Sequence, residues 1–574
     1  MIRALMILAL AFGLSLPALG QSYNEVPSFI EDVKAGKLPA IAQRLPDAPR
    51  TVDFDALGIK PGKSGGEIRI LLGKQKDIRM MVVYGYARLV GYDHELNLKP
   101  DILKDIEVEE GRIFTLHLRP GHKWSDGHPF TTEDFRYRWE DVINNKKLVR
   151  GGVPRILKSG DVPAEFEIID EHTVRYTFKE PNPNFLPALA GARPFYLYMP
   201  AHYMKQFHAK YASEESLKKL AKKYKQKNWP RMHRRLGRQY RPENPDMPTL
   251  QPWRNSTRPP SEQFIFKRNP YFHRVDPQGN QLPYIDSIKV GMGSTGLIPT
   301  KAGAGETDLQ GRYIRFDNYT FLKASTKLHP MNVRLWETAK GSQIALFPNL
   351  NAADKVWRDL FRDIRVRRAL SVAIDRHEIN QAVYYGLARP SSNSVLPTSP
   401  LFREEYQKAW TQFDLDLGNK LLDEVGLTER NEEGIRLLPN GEIMQIVVET
   451  AGESTEETDV LELVRDNWRK IGVEIFVRPT QRDIFRRRVR SGDVIMGVWS
   501  GFDNGIPTAE MSPEELAPTT QEQYQWPLWG QFYETGGNSG EPSDLPEAKK
   551  LLSLYEEWLK STDSTAREVI WHKM

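Results

Sequence analysis

The stretch Phe114-Thr115-Leu116-His117-Leu118-Arg119-Pro120-Gly121-His122-Lys123-Trp124-Ser125-Asp126-Gly127, continuing through Pro129-Phe130-Thr131 to Glu133-Asp134-Phe135, decides how this chain is read. From Arg112 to Arg119 apolar and polar residues alternate with period two, which predicts a strand with one buried face. Pro120-Gly121 stops it. Trp124-Ser125-Asp126-Gly127 then reads as a turn: Asp126 can accept backbone amides, Gly127 permits positive φ, and Trp124 supplies apolar area. Thr132-Glu133-Asp134 opens an amphipathic helix expected to run through Trp139 and Val142, with Thr131 or Thr132 as N-cap and acids in the first turn. Strand, turn and helix in close succession argue for mixed α/β structure.

The same intermixing extends in both directions. Glu67-Ile68-Arg69-Ile70-Leu71-Leu72 reads as a strand, with a polar loop from Gly73 to Asp77 at its end, and Thr173 to Phe178 alternates again. Gln21 to Lys63 carries little periodic pattern and reads as an irregular arm. There is no fixed-period repeat. At 574 residues, with 40% hydrophobic, 27% charged and 10% aromatic residues, the chain is neither an apolar membrane bundle nor a charge-rich disordered one. Its 80 Lys and Arg against 75 Asp and Glu leave +5, too small an excess to imply a nucleic-acid partner. The absence of Cys excludes disulfides, thiolate metal sites, Cys nucleophiles and a thiol-borne lipid anchor.

Met1-Ile2-Arg3 followed by the apolar run Ala4 to Leu16 and the small residues Ala18-Leu19-Gly20 has the form of a secretory signal over residues 1–20, with cleavage before Gln21. One charge run stands out. From Lys218 to Arg241 there are eleven Lys or Arg and no acid, interleaved with Tyr224, Trp229 and Tyr240. A solvated helix and basic loop account for it, as does an anionic surface or ligand.

Catalytic patterns fail on spacing. Gly58-Ile59-Lys60-Pro61-Gly62-Lys63-Ser64 has one residue too few between its glycines for a phosphate loop. No His-Glu-x-x-His pair and no Gly-x-Ser-x-Gly elbow occurs, and Glu432-Glu433 and Glu456-Glu457 are adjacent in sequence, not opposed across a cleft. No catalytic residue, metal or cofactor is expected.

The opening stretch closely resembles the signature of family 5 solute-binding proteins of ABC importers, the dipeptide and oligopeptide-binding group. A second segment, Val366-Arg367-Arg368-Ala369-Leu370-Ser371-Val372-Ala373-Ile374-Asp375-Arg376 with Gly386 and Pro390, resembles the family's later helix. Weaker echoes lie between and beyond: Arg268-Asn269-Pro270-Tyr271-Phe272, Leu282-Pro283-Tyr284-Ile285-Asp286, Gly305-Glu306-Thr307-Asp308-Leu309 and Leu421-Leu422-Asp423-Glu424-Val425-Gly426. The resemblance implies an α/β, two-lobed periplasmic-binding-protein fold of class C type, with an extra domain inserted in the first lobe. On it the chain divides into an arm over 21–63, the first strand of lobe I over 64–77, the inserted domain over 78–190, lobe I continued over 191–340, lobe II over 341–540, and a return toward lobe I over 541–574. The chain stops while a helical pattern is running, and an incomplete C-terminus with an unpaired edge in the lobe I sheet is expected.

In peptide-binding relatives a carboxylate just after a Gly-Trp-like strand pairs with the peptide's free amine. Gly497-Val498-Trp499-Ser500-Gly501-Phe502-Asp503-Asn504 occupies that region. One inserted residue places Asp503 on the amine-binding position, whereas an ungapped reading places Phe502 there. Asp503, Trp499 and Asn504 are therefore the candidate ligand residues, with Lys74, after the first strand, as a second wall. Trp499, Trp526 and Trp529 could instead offer faces to a sugar. The implied function is capture of a peptide or other amine-bearing solute for an ABC permease pair and its cytoplasmic ATPase subunits, by a monomer free in the periplasm, not an enzyme, that meets the membrane only through its transporter. An oligosaccharide or opine-like ligand, a secreted hydrolase and a chaperone-like peptide binder are the alternatives.

Overall fold

The computed structural model describes residues 22–503 and 511–574. The signal expected over 1–20 and the candidate ligand residue Asn504 lie outside the described residues. Three four-stranded sheets, each with its own apolar core, carry the described chain.

The lobe I sheet runs in the order Trp253–Asn255, Gln263–Arg268, Ser287–Met292, Glu67–Leu72. Glu67–Leu72 pairs in parallel with Ser287–Met292, so a strand near the start of the chain lies beside one from its middle. The intervening segment must therefore leave the lobe and come back. Among the described residues no further strand pairs with the outer edge of Glu67–Leu72, but a loop lies along it. Asp308 accepts from the Arg69 amide at 2.7 Å and donates its own amide to the Arg69 carbonyl at 2.9 Å, while the Gln310 side chain brackets the Leu71 backbone.

The inserted domain begins with an antiparallel sheet, Leu103–Glu109, Ile113–Leu118, Thr173–Thr177, Glu165–Asp170. Phe114, Leu116 and Leu118 form its inner face as their alternation predicts, packed on Phe135, Tyr176 and Phe185. Thr131 caps the helix Thr132–Arg136 in a reciprocal capping box with Asp134. Asp134 also accepts from the indole of the fully buried Trp124 at 2.9 Å, tying turn to helix. Gly127 has φ +89°, and a Cβ there would lie 2.8 Å from the Tyr271 hydroxyl, so the turn needs glycine twice over. The helix expected to run on through Val142 widens instead into a π-helical segment, Tyr137–Ile143, that buries Tyr137, Trp139, Val142 and Ile143. Met199, Met204, Phe207, Leu217, Met232 and Leu236 then pack on Tyr137, Val142 and Leu148. Residues between 199 and 247 thus share a core with the π-helical segment, and the next strand of the lobe I sheet is Trp253–Asn255.

In lobe II, Gln445–Thr450 lies parallel to Glu474–Pro479 and Met496–Trp499, with Ala345–Pro348 antiparallel at the edge. The helix Ile364–Val372 holds the second family-like segment. It packs closely because Gly418 sits where a Cβ would be 3.5 Å from the Ala369 carbonyl, and Trp468 donates to the Leu370 carbonyl at 2.9 Å. Asp375 caps the next helix and Arg376 reaches back to Ser371, both bracing roles. The last helix, Ser564–Lys573, places Trp571 against Phe502, Val395, Leu401 and Met511. Trp571 thus packs on lobe II, while Thr562 of the same 541–574 segment lies beside Gly111 of the inserted domain, where a Cβ would be 3.5 Å from it.

One buried carboxylate joins the arm, the inserted domain and lobe I. Asp101 accepts from Arg50 of the arm at 2.7 Å, from His273 at 2.9 Å and from Arg274 at 2.6 Å, and takes the Arg88 backbone amide at 2.9 Å. Burial pushes its pKa up, but the charge of Arg274 and the hydrogen bonds donated by Arg274 and His273 outweigh burial and hold it well below the usual carboxylate range. Asp101→Asn should cost about 3 to 5 kcal/mol in denaturant unfolding at pH 7, because it leaves the half-buried guanidinium groups of Arg50 and Arg274 without their anion. Because the folded carboxyl is depressed, that contribution is present above the ordinary carboxylate range and is lost as pH falls through it. Wild type and variant should thus converge in strong acid, and a constant difference at every pH would refute the ionised role.

Candidate functional site

The strand Met496–Trp499 ends by passing tightly beside residues 340–342. Gly341 donates to the Phe502 carbonyl at 2.7 Å and Gly501 to the Ser342 carbonyl at 2.8 Å, while Asn393 Oδ1 accepts from the Phe502 amide at 2.7 Å. The pass admits no side chain at Gly501, where a Cβ would lie 2.2 Å from Asn393 Oδ1. Extended backbone alternates its side chains, and here that sends the Phe502 ring into the cluster with Trp571 and Leu401 and leaves Asp503 exposed.

A cavity of about 1150 Å³ opens in front of this segment. Lobe II supplies Trp499, Asp503, Glu514, Glu515 and Tyr524 to its wall, the inserted domain supplies Arg155, Lys158 and Asn182, and the helix Pro546–Lys560 adds Tyr555. Carboxylates outnumber cations along it. Lys74 does not share the cavity. It is exposed at the end of the first lobe I strand, where its carbonyl accepts from the Asp77 amide at 2.8 Å in a short turn. Trp529 is buried against Leu350 and Ala548, and Trp526 donates its indole to Gln523 at 2.9 Å; neither lines the cavity.

The acidic wall is built into one loop. Gln523 accepts from the Thr519 and Thr520 amides at 2.9 and 3.2 Å and donates to the carbonyls of Glu514 and Ala517 at 2.7 and 2.9 Å, which fixes the backbone carrying Glu514 and Glu515. Glu515 accepts the Asp503 backbone amide at 3.0 Å. Burial pushes the Glu515 carboxyl up to about 7, the negative charges of Asp503 and Glu514 add to the rise, and Lys340 opposes it. Glu514 is also raised by burial, against the pull of Arg155. The aromatic walls are partly covered by cations: the Arg155 guanidinium lies 4.2 Å from the Tyr533 ring centre, and those of Arg482 and Arg486 lie 5.1 and 5.3 Å from that of Trp499.

Among the sequence candidates the structure brings Trp499 and Asp503 together. Glu514, Glu515, Arg155 and Tyr533 were not singled out by the sequence. Pro513-Glu514-Glu515 looks like any helical start, and nothing local to Arg155 shows that a loop more than three hundred residues later will face it. Among the described residues no group of three or more His, Asp or Glu could hold a metal ion, and no helix is long and apolar enough to cross a membrane.

Residues 97–522 match the family model described as bacterial extracellular solute-binding proteins, family 5 middle. A periplasmic alpha-galactoside-binding protein of Rhizobium meliloti strain 1021 is 23% identical over 95% of this chain and 80% of its own length. A solved oligopeptide-binding protein OppA superposes with a TM-score of 0.72 at 31% identity, over 96% of this chain and 88% of that one. The periplasmic binding protein MelB of Agrobacterium fabrum C58, solved in complex with stachyose, gives 0.70 at 21% identity over 97% and 84%. The chain belongs to the family 5 extracellular solute-binding proteins and has the periplasmic-binding-protein fold. It is the substrate-binding component of an ABC importer, a class that hands small solutes to a permease driven by ATPase subunits.

Glu515 gives a test of the cavity's electrostatics that needs no ligand. A carboxyl whose folded pKa is raised disfavours folding progressively as pH rises from the ordinary carboxylate range through about 7. Glu515→Gln should stabilise the ligand-free protein by roughly 1 to 3 kcal/mol at pH 8 and change it little at pH 5 in denaturant unfolding. Equal effects at the two pH values would show that this carboxyl titrates as a solvent-exposed one.

Proposed function

We propose that the cavity takes a peptide or another solute bearing a cationic amine, with Asp503 and Glu515 as its anionic partners. The observation that carries this reading is the carboxylate surplus at the meeting of the 500–503 pass and the 513–526 loop, where a desolvated cation gains more than it would in water. Trp499 supports the same end of the ligand through apolar contact. The 31% identity to a solved oligopeptide-binding protein, across most of both chains, agrees with it.

A neutral oligosaccharide is the competing ligand. It is favoured by the alpha-galactoside-binding relative and the stachyose complex, and opposed by the guanidinium groups that occupy faces of Trp499 and Tyr533 where a sugar would stack. Such a solute would touch lobe II on one side and Arg155 and Asn182 of the inserted domain on the other. A ligand bridging both walls stabilises a closed arrangement by its differential affinity, which is the signal a permease can read. We read residues 1–20 as the export signal, the periplasm as the site of action and the working unit as a monomer without catalytic activity.

Calorimetry with a free peptide, its N-acetylated form and stachyose separates the readings. The free peptide should bind, N-acetylation should abolish most of the affinity, and Asp503→Ala should weaken binding by about 2 to 5 kcal/mol if the bound ligand buries the charge pair. Affinity should fall as pH drops below about 7, because protonating Glu515 removes a charge that the amine holds. Tight binding of stachyose with no response to the free peptide would replace the amine reading with the saccharide one, and turnover of the bound solute would overturn the binding role itself.

A further inference from the structure

The cations of the run from Lys218 to Arg241 line neither the cavity nor a core. Seven of the eleven fall on two helices that pack on each other, Glu214–Lys223 and Trp229–Leu236, and Lys225, Lys227, Arg238 and Arg241 lie in the segments that follow them. Leu217, Ala221, Met232 and Leu236 face inward, which leaves Lys218 and Lys222, Lys219 and Lys223, and Arg231 and Arg235 as exposed pairs four residues apart on the outer faces. Residues four apart share a helix face, so the charges form stripes and are not scattered around the helices.

A third segment joins them. Arg234 donates to the carbonyls of Lys147 and Leu148 at 3.0 and 3.2 Å, which brings the exposed Lys146, Lys147 and Arg150 to the second helix. Carboxylates are few beside this face. Glu214 pairs with Lys218 at 2.7 Å and Glu215 sits next to it at the start of the first helix, while Asp141 is buried under Arg136 and Lys210. A formal charge of only +5 for the whole chain conceals a surface this strongly positive.

We propose that this face docks on the anionic headgroup plane of a phospholipid membrane. Lysine-rich stripes spread over three segments suit a fluid plane of charge, where each mobile cation adds a small attraction without fixed geometry. A nucleic acid fits poorly. Of the three aromatic rings in the run, Tyr224 packs against Phe207 at 5.8 Å and Trp229 against His208 at 5.0 Å, while the Arg193 guanidinium lies 5.6 Å from the centre of the Tyr240 ring, so all three are already engaged and are poor platforms for bases. Attraction of this kind holds a protein at such a surface weakly and reversibly. Docking would confine the search for a transporter to two dimensions, independently of which solute the cavity holds.

Co-sedimentation with vesicles tests it, using equimolar phosphatidylglycerol and phosphatidylcholine against phosphatidylcholine alone. The full-length protein should partition at least about tenfold more onto the anionic vesicles at low salt, and lose most of that preference near 0.3 M salt. Replacing Lys218, Lys222, Arg231 and Arg235 together with Glu should abolish the preference, and the milder Gln replacements should reduce it while leaving the circular dichroism spectrum and thermal midpoint unchanged. Equal partitioning onto both vesicle types at low salt overturns the proposal. So does undiminished binding by folded Gln or Glu variants, or retention on immobilised DNA without binding to anionic vesicles.

Discussion

The Asp101 carboxylate is the point on which the arrangement of the parts depends. A lone charge at that depth would cost several kcal/mol, and it is tolerated because Arg50, His273 and Arg274 converge on it from the arm and from lobe I. Those partners are distant in sequence. Their convergence fixes how the inserted domain stands on lobe I, while burial holds His273 near a pKa of about 4 and therefore neutral at physiological pH. The Arg119 side chain adds hydrogen bonds to the carbonyls of Asp101 and Ala48, so both arm and inserted strand are pinned at the same place. Strand pairing between Arg50–Thr51 and Arg274–Val275 runs through this node.

From that orientation follows the composition of the cavity. The inserted domain turns Arg155, Lys158 and Asn182 toward lobe II, whose own wall is set by the Gly341 and Gly501 pass and by the Gln523 network. Close backbone approach at the pass is what forces the alternation that buries Phe502 and presents Asp503. The acidic loop then accumulates charge in a place where burial and mutual repulsion lift Glu515 toward neutrality. On the amine reading, a cation placed there would relieve the repulsion that the fold imposes on Glu515, and part of the binding energy would come from that relief.

Much of the fold could be read from local pattern. The strands Glu67–Leu72, Ile113–Leu118 and Thr173–Thr177 follow from period-two alternation, and the Thr131 cap follows from a side chain that satisfies helix amides. The site was legible only in part. Trp499 and Asp503, both on the cavity wall, stand at and just beyond the end of a strand in a recognisable segment, and only the three-dimensional pass separates Phe502 from Asp503. Lys74 was reached by the rule that ligands gather at strand ends, but in this chain the cavity forms between lobe II and the inserted domain, away from that strand end. Glu514 and Arg155 acquire meaning from each other across a long sequence separation, which no window along the chain contains. The π-helical widening at Tyr137–Ile143 was hidden for a different reason: its apolar residues suit an α-helix equally well, and the packing of residues 199–247 decides between them.

The small net charge proves to be a poor guide to this protein, because the two signs are segregated. Carboxylates outnumber cations in the cavity, where low polarisability magnifies each of them, and cations concentrate on the exposed faces of two helices, where water and salt weaken each of them. Few strong interactions inside therefore coexist with many weak ones outside. The two zones also couple little, since a change on the exposed helices lies across the core of Met204, Phe207, Met232 and Leu236 from the sheet that leads to the cavity. Such separation lets ligand choice and surface attachment vary independently in one fold, with the buried Asp101 junction holding constant the frame on which both depend.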